Sequence, residues 1–145
     1  ADTKLAPELS NEAHYYRAKA YLDAGKTDGA MEDLKVLAKD TRNVYGAEAK
    51  YKVAQIYFDG GQTDKAEQEV LNYIEVSTPH TYWLARSFVL LSDVYHATGK
   101  DLDARQYLLS LQQKQYLLSL KQNYQADDDI AGMIESRLEK LKTEN

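Results

Sequence analysis

The sequence predicts an all-α protein, three helical hairpins stacked side by side and closed by a seventh helix. Three observations carry this. Only two prolines and seven glycines punctuate 145 residues, and between them apolar residues recur at helical spacing. Tyr21, Tyr57 and Tyr95 are separated by 36 and 38 residues, and the same two spacings relate Gly25, Gly61 and Gly99, and again Ala30, Ala66 and Ala104. Self-similarity at this period is the mark of a solenoid, in which each hairpin buries its open face by stacking on the next.

The elements follow in order. Residues 1–9 form a tail. From Ser10, expected as N-cap, the first helix carries Ala13, Tyr16, Ala20 and Tyr21 as its buried stripe and stops near Gly25. After Gly25-Lys26-Thr27-Asp28, the return helix of about Asp28 to Asp40 places Ala30, Met31, Leu34 and Leu37 on one face. The second hairpin, 44–78, repeats this with Ala47, Tyr51, Ala54 and Tyr57, a turn at Gly61-Gln62-Thr63-Asp64, and Ala66, Val70, Tyr73 and Ile74. Thr78 and Pro79 are a start signal for the third, 79–126, with Thr78 expected as cap and Pro79 in the first turn. Trp83, Ser87, Leu91, Ser92 and Tyr95 lead to Gly99, and Ala104, Leu108 and Leu111 begin the return. Asp127-Asp128-Asp129 gives the last helix, 127–145, an acidic start; Ile130, Met133, Ile134, Leu138 and Leu141 are its stripe, and Lys140 and Lys142 suit its C-terminal dipole.

Small residue, Tyr three later, Gly four beyond and Ala five beyond appear as Ala18-Tyr21-Gly25-Ala30, Ala54-Tyr57-Gly61-Ala66 and Ser92-Tyr95-Gly99-Ala104. In this pattern the chain resembles the tetratricopeptide repeat (TPR) family over roughly Ser10 to Leu111. The resemblance implies a right-handed superhelix with a solvating last helix, and a protein-binding role. The family's usual Trp is replaced by His14, Lys50 and Phe88, and only Pro79 stands for the linking proline. Periods longer than the ordinary ~34 residues look more like those of bacterial envelope TPR proteins.

Composition narrows the function. Lys and Arg number 18 against 23 Asp and Glu, a formal charge of −5, which repels a phosphate backbone and argues against nucleic acid. No apolar run approaches the ~20 residues of a membrane span, and Ala1-Asp2-Thr3-Lys4 lacks a signal peptide's apolar core. With no cysteine there is no disulfide or thiol chemistry, which fits cytosol and periplasm equally. His14, His80 and His96 lack ligand spacing for zinc. Ser92, Asp93 and His96 share adjacent helical turns without a nucleophile turn or oxyanion donors. The Asp127–Asp129 run lacks the alternating ligands of a calcium loop, and Gly60-Gly61 ends a helix rather than cradling phosphate. No catalytic role, metal or cofactor is expected.

Twelve tyrosines are the compositional excess. Tyr21, Tyr57, Tyr73 and Tyr95 fall at packing positions. The resemblance assigns the concave groove to first-helix positions six and two before the marker Tyr and one or two after it. These are Tyr15, Lys19, Leu22 and Asp23, then Tyr51, Gln55, Phe58 and Asp59, then Val89, Asp93, His96 and Ala97. Rings mixed with polar groups suit an extended peptide or a partner helix, although three repeats possess such a lining whether or not it is used. The Lys and Asn arrangement with which some TPR proteins clamp a terminal carboxylate is absent.

One anomaly remains. Gln-Tyr-Leu-Leu-Ser-Leu occurs at 106–111 and again at 115–120, a nine-residue duplication, natural or engineered. Nine residues at ~100° each turn a helix through two and a half turns, so the second copy faces away from the first. The opposite face gathers Leu109, Tyr116, Leu120 and Tyr124, with Tyr107 and Leu117 nearby. One straight helix of about Leu102 to Tyr124, a looped-out insertion, or a slipped register are the alternatives. The absence of a breaker favours the straight helix. An uncovered apolar face then predicts displacement of the last helix from its own array, or self-association as a symmetric or swapped homodimer.

Overall fold

The computed structural model describes residues 7–76, 78–121 and 129–143. They form α1 (Pro7–Asp23), α2 (Thr27–Leu37), α3 (Val44–Asp59), α4 (Thr63–Glu75), α5 (Thr81–Ala97), α6 (Asp101–Lys121) and α7 (Ile130–Thr143), with no strand among the described residues.

The three hairpin turns are built alike. Each first helix ends in a glycine of left-handed backbone, Gly25, Gly61 or Gly99, at φ 74°, 79° and 79°. The amide after each glycine reaches back to the marker tyrosine carbonyl: Lys26 to Tyr21 at 2.7 Å, Gln62 to Tyr57 at 2.8 Å, Lys100 to Tyr95 at 2.7 Å. The glycine amide bonds one residue further on, to Leu22, Phe58 or His96. This paired closure satisfies carbonyls that a helix end leaves open, and it requires a residue that enters positive φ without strain. Four residues after the post-glycine residue, Ala30, Ala66 and Ala104 begin the return helices and are fully buried. Their partners at the crossing, Ala18, Ala54 and Ser92, are at most 2% exposed. A larger side chain at any of these crossings would overpack it at about 1–3 kcal/mol.

Across each hairpin lies a second recurring contact, between residues 19 apart. His14 Nδ1 meets Asp33 Oδ1 at 2.8 Å in the first. Lys50 Nζ meets Glu69 in the second, and also donates to Asn72 Oδ1 at 2.7 Å. In the third the pair is aromatic, with Phe88 and Tyr107 ring centroids 6.1 Å apart. The first two hairpins thus pair polar side chains where the third pairs rings. Asp33 also accepts from Arg17 Nε and Nη2 at 2.8 and 2.6 Å, and this pairing holds its carboxyl below the usual range against the opposing effect of burial.

Stacking is between neighbours: α1 on α3, α3 on α5 and α5 on α7, with α2, α4 and α6 each against the first helix that follows. One core joins Ala18, Leu34, Leu37 and Val53; another runs from Tyr51 and Val70 through Leu91 and Leu108 to Ile130 and Ile134.

Several expected boundaries are corrected. α1 starts at Pro7 rather than being capped by Ser10, in keeping with proline's fixed φ at a first helical position. Ala13, Tyr16 and Ala20 are exposed, Tyr16 to 59%, while Ala18 is buried with Tyr15, Tyr21 and Leu22 packed around it. The burying face is thus turned toward α3 as well as α2, which a stripe drawn for one partner misses. α2 ends at Leu37, three residues early, because Gly46 brings the first turn of α3 against the carbonyls of Leu37 and Asp40. Asn43 caps α3, accepting from Tyr45 and Gly46. α5 begins at Thr81, and Thr78 does not cap it. Its hydroxyl donates to the Thr41 carbonyl at 2.7 Å, while His80 Nε2 lies 2.9 Å from the Arg42 carbonyl, so this linker is tied back to the preceding one. Asp129 lends its carboxylate to the Tyr82 hydroxyl at 2.9 Å; Asp127 and Asp128 lie outside the described residues.

Both copies of the duplicated hexapeptide lie in the single helix α6, about 31 Å long at 1.5 Å per residue. Tyr107, Leu108 and Leu111 of the first copy pack inward, whereas Tyr116 and Leu117 of the second are 62% and 54% exposed. The register is decided outside the duplication. A nine-residue slip would put Gln113 where Ala104 sits at 0% exposure, burying an amide in a space filled by one methyl. The expected displacement of α7 does not occur. Ile130, Ile134 and Leu141 are buried against the chain's own α5 and α6, where Leu108 and Leu111 keep their inward register.

Candidate functional site

The first helices of successive hairpins are joined by a line of polar and aromatic contacts. In α1, the Tyr15 hydroxyl donates to Glu48 of α3 at 3.1 Å. Its ring lies 4.6 Å from that of Tyr45 and 5.2 Å from that of Tyr16, with Lys19 and Lys52 ammonium groups 5.6 and 5.9 Å from its centroid. Burial, then the charge and hydrogen bond of Glu48, push the Tyr15 phenol up to about 12.

The next rung joins α3 to α5. Arg86 donates from Nη2 to the Tyr51 hydroxyl at 3.0 Å and from Nη1 to the Tyr82 hydroxyl at 2.9 Å. Its guanidinium carbon is 4.9, 5.7 and 5.8 Å from the rings of Tyr51, Tyr82 and Trp83. Both phenols pass their own protons outward, Tyr51 to Gln55 at 2.9 Å and Tyr82 to Asp129, and Gln55 in turn donates to Asp59 at 2.8 Å. Burial raises the Tyr51 phenol above its ordinary value against the favourable charge of Arg86, and Asp93 and Arg137 also act on it. Burial opposes the Arg86 charge, but the Tyr82 and Tyr51 oxygens outweigh it. Arg17, Arg42 and Arg137 each hold a carboxylate, whereas half-buried Arg86 holds two phenols and makes no ion pair among the described residues.

The third rung joins α5 to α7: Arg137 Nε and Nη2 fork onto Asp93 at 2.7 and 3.0 Å. Beside it opens a cleft of 490 Å³ between α3, α5, α6 and α7. Phe58, Ala97, Leu108 and Leu141 form its apolar part; Ser92, Asp93, His96, Ser136, Arg137 and Lys140 its polar rim. His96 Nδ1 is held by Asp101 at 2.8 Å.

The expected groove residues divide between these places. Phe58, Asp93 and His96 meet at the cleft, whereas Tyr15 and Lys19 sit two hairpins away. Gln55 links Tyr51 to Asp59. Tyr51 is 7% exposed, a buried ring whose hydroxyl bonds to Gln55 and Arg86. Glu48, Tyr82, Arg86 and Arg137 were not singled out from the sequence. A signal existed: nine residues before each marker tyrosine stand Glu12, Glu48 and Arg86, always charged. On α6, Leu109 is 43% exposed and joins Tyr116 and Leu117 on the outer face; the side chain of Leu120, and all of Tyr124, lie outside the described residues.

Among the described residues no group of three or more His, Asp or Glu is placed to hold a metal ion, and no helix is long and apolar enough to cross a membrane. No family model, curated protein or solved structure matches the chain.

Proposed function

We propose that the chain is a non-catalytic interaction scaffold of the tetratricopeptide type, a right-handed superhelix that binds a peptide or a partner helix along the face joining α1, α3, α5 and α7. The observation that carries this reading is the cleft at the C-terminal end of that face. It sets Phe58 and an apolar floor beside Asp93, His96 and Arg137, so one ligand can bury a side chain and satisfy its backbone in the same place. The repeated turns and the small residues at each crossing support the family resemblance, since they are the packing reasons for its pattern.

The test is selection from a random dodecapeptide display library on the intact protein. Enrichment that Phe58→Ala and Gln55→Ala remove, with helical content and melting retained, supports the reading. Absence of enrichment, or enrichment indifferent to both substitutions, refutes it.

A second reading rests on α6. Leu109, Tyr116 and Leu117, with Leu102 at 82% exposure, present apolar area on one helix, which suits self-association of a protein whose duplicated helix is its assembly element. Sedimentation at micromolar concentration decides it: a dimer that Leu109→Lys with Tyr116→Lys returns to monomer supports this reading, and a wild-type monomer ends it.

A further inference from the structure

We infer that the ligand of this face is an extended acidic peptide whose aspartate or glutamate side chain bonds to Arg86, with an aliphatic side chain three residues away in the Phe58–Leu141 cleft. The inference rests on the interaction-scaffold reading and names its ligand chemistry. A guanidinium offers five N–H donors in a planar fork. Arg86 spends two, one on each phenol, and both phenols are acceptors whose own protons are committed elsewhere. The remaining donors of a half-buried cation, held in orientation by three rings, match a carboxylate in geometry and charge.

The pre-set orientation matters, because a side chain already fixed by packing loses little further freedom when its partner arrives. Lysine at this position could not replace it, having neither the fork nor the planar surface that rests on Tyr51. The spacing follows from the helix. Arg86 and Asp93 are seven residues apart on α5, two turns and about 10.5 Å along one face, and Asp93 stands on the rim of the cleft. An extended chain covers that distance in about three residues. The Asp93–Arg137 pair stands on the rim of the cleft and is electrically closed, so it sets polarity for a passing backbone rather than a second charge requirement.

The same dodecapeptide selection, followed by affinity measurement on an enriched peptide, tests this separately from the parent reading. Expected is enrichment of sequences with Asp or Glu three positions from Leu, Ile, Val or Met. Replacing that Glu by Gln in the peptide, which leaves the protein untouched, should weaken binding by about 10- to 100-fold, the worth of a charge-assisted hydrogen bond. Arg86→Lys should lose most of the preference for Glu over Gln while the protein melts as a folded helical domain. Peptides enriched without an acidic position, or equal affinity for the Glu and Gln forms, overturn the acidic assignment while leaving the scaffold reading intact. No enrichment of any peptide overturns both.

Discussion

Gly46 sits where the end of α2 meets the first turn of α3, and its replacement by alanine isolates a steric cost from a torsional one. A Cβ there would stand 1.9 Å from the Asp40 carbonyl oxygen and 2.6 Å from that of Leu37. Carbon–oxygen contacts settle near ~3.3 Å, so the Asp40 carbonyl must retreat by roughly 1.4 Å. Both carbonyls are engaged, Leu37 by the Asp40 amide and Asp40 by the Asn43 amide. Loosening two such bonds at about 1 kcal/mol each, with overpacking of about 1–3 kcal/mol, gives a loss of ~3–5 kcal/mol. For a chain of this size that lowers the melting temperature by roughly 6–20 °C. Gly99→Ala is the control. Its Cβ meets nothing within 4 Å, so only the backbone at φ 79° is strained. That strain of about 1–2 kcal/mol is partly offset by the stiffer unfolded chain, leaving ~1 kcal/mol. Urea unfolding followed by helical ellipticity, with unchanged m, compares the two. Should Gly46→Ala fall within ~0.5 kcal/mol of wild type, or cost less than Gly99→Ala, the steric account of the α2–α3 junction is wrong.

Two further outcomes follow from the contacts that close the hairpins. Lys50→Met leaves Glu69 without its cation in a largely buried place and should cost about 2–3 kcal/mol, whereas Lys50→Phe with Glu69→Tyr copies the third hairpin and should return to within ~1 kcal/mol of wild type. A double variant worse than the single in chemical denaturation would show the two hairpins are not equivalent in shape. Asp33 titrates low in the fold because Arg17 bonds to its charged form. Its contribution is therefore fully present above the unfolded carboxyl value of ~3.9 and is lost as pH falls through the lower folded value. Asp33→Asn should be less stable than wild type at pH 6, and the gap should close as pH approaches the folded value. A gap that holds constant or widens on acidification contradicts the pairing.

The repeat was legible because its determinants are local. A glycine that enters positive φ, an alanine with no room beside it and a tyrosine whose carbonyl closes the turn each leave a fixed residue type at a fixed spacing. The continuity of α6 was legible for a similar reason, since nothing between Asp101 and Lys121 breaks a helix. What depends on two partners at once was not. The inward face of α1 is set jointly by α2 and α3, so a stripe read for one partner placed Tyr16 inside. The end of α2 is set by a glycine nine residues later, and Thr78 is taken by a carbonyl 37 residues earlier. Phe58, Asp93 and His96, singled out by position within single repeats, line one cleft. Arg86 and Arg137 act by reaching into the neighbouring repeat; the recurring charge nine residues before each marker tyrosine points to Arg86 but not to its partners, and nothing in the spacing points to Arg137.

The neighbour-only stacking of α1, α3, α5 and α7 makes the molecule a zipper rather than a globule. Among the described residues no contact spans from the first hairpin to the last helix, so a perturbation at Tyr15 reaches Arg137 by way of α3 and α5. Opening is cheapest from the two ends, where α1 and α7 each have a hairpin on one side. Hydrogen exchange should consequently run inward from both termini, with the α3–α5 seam last to open, and a ligand bridging Arg86 to the α7 cleft would act as a stop on the C-terminal side of that unzipping.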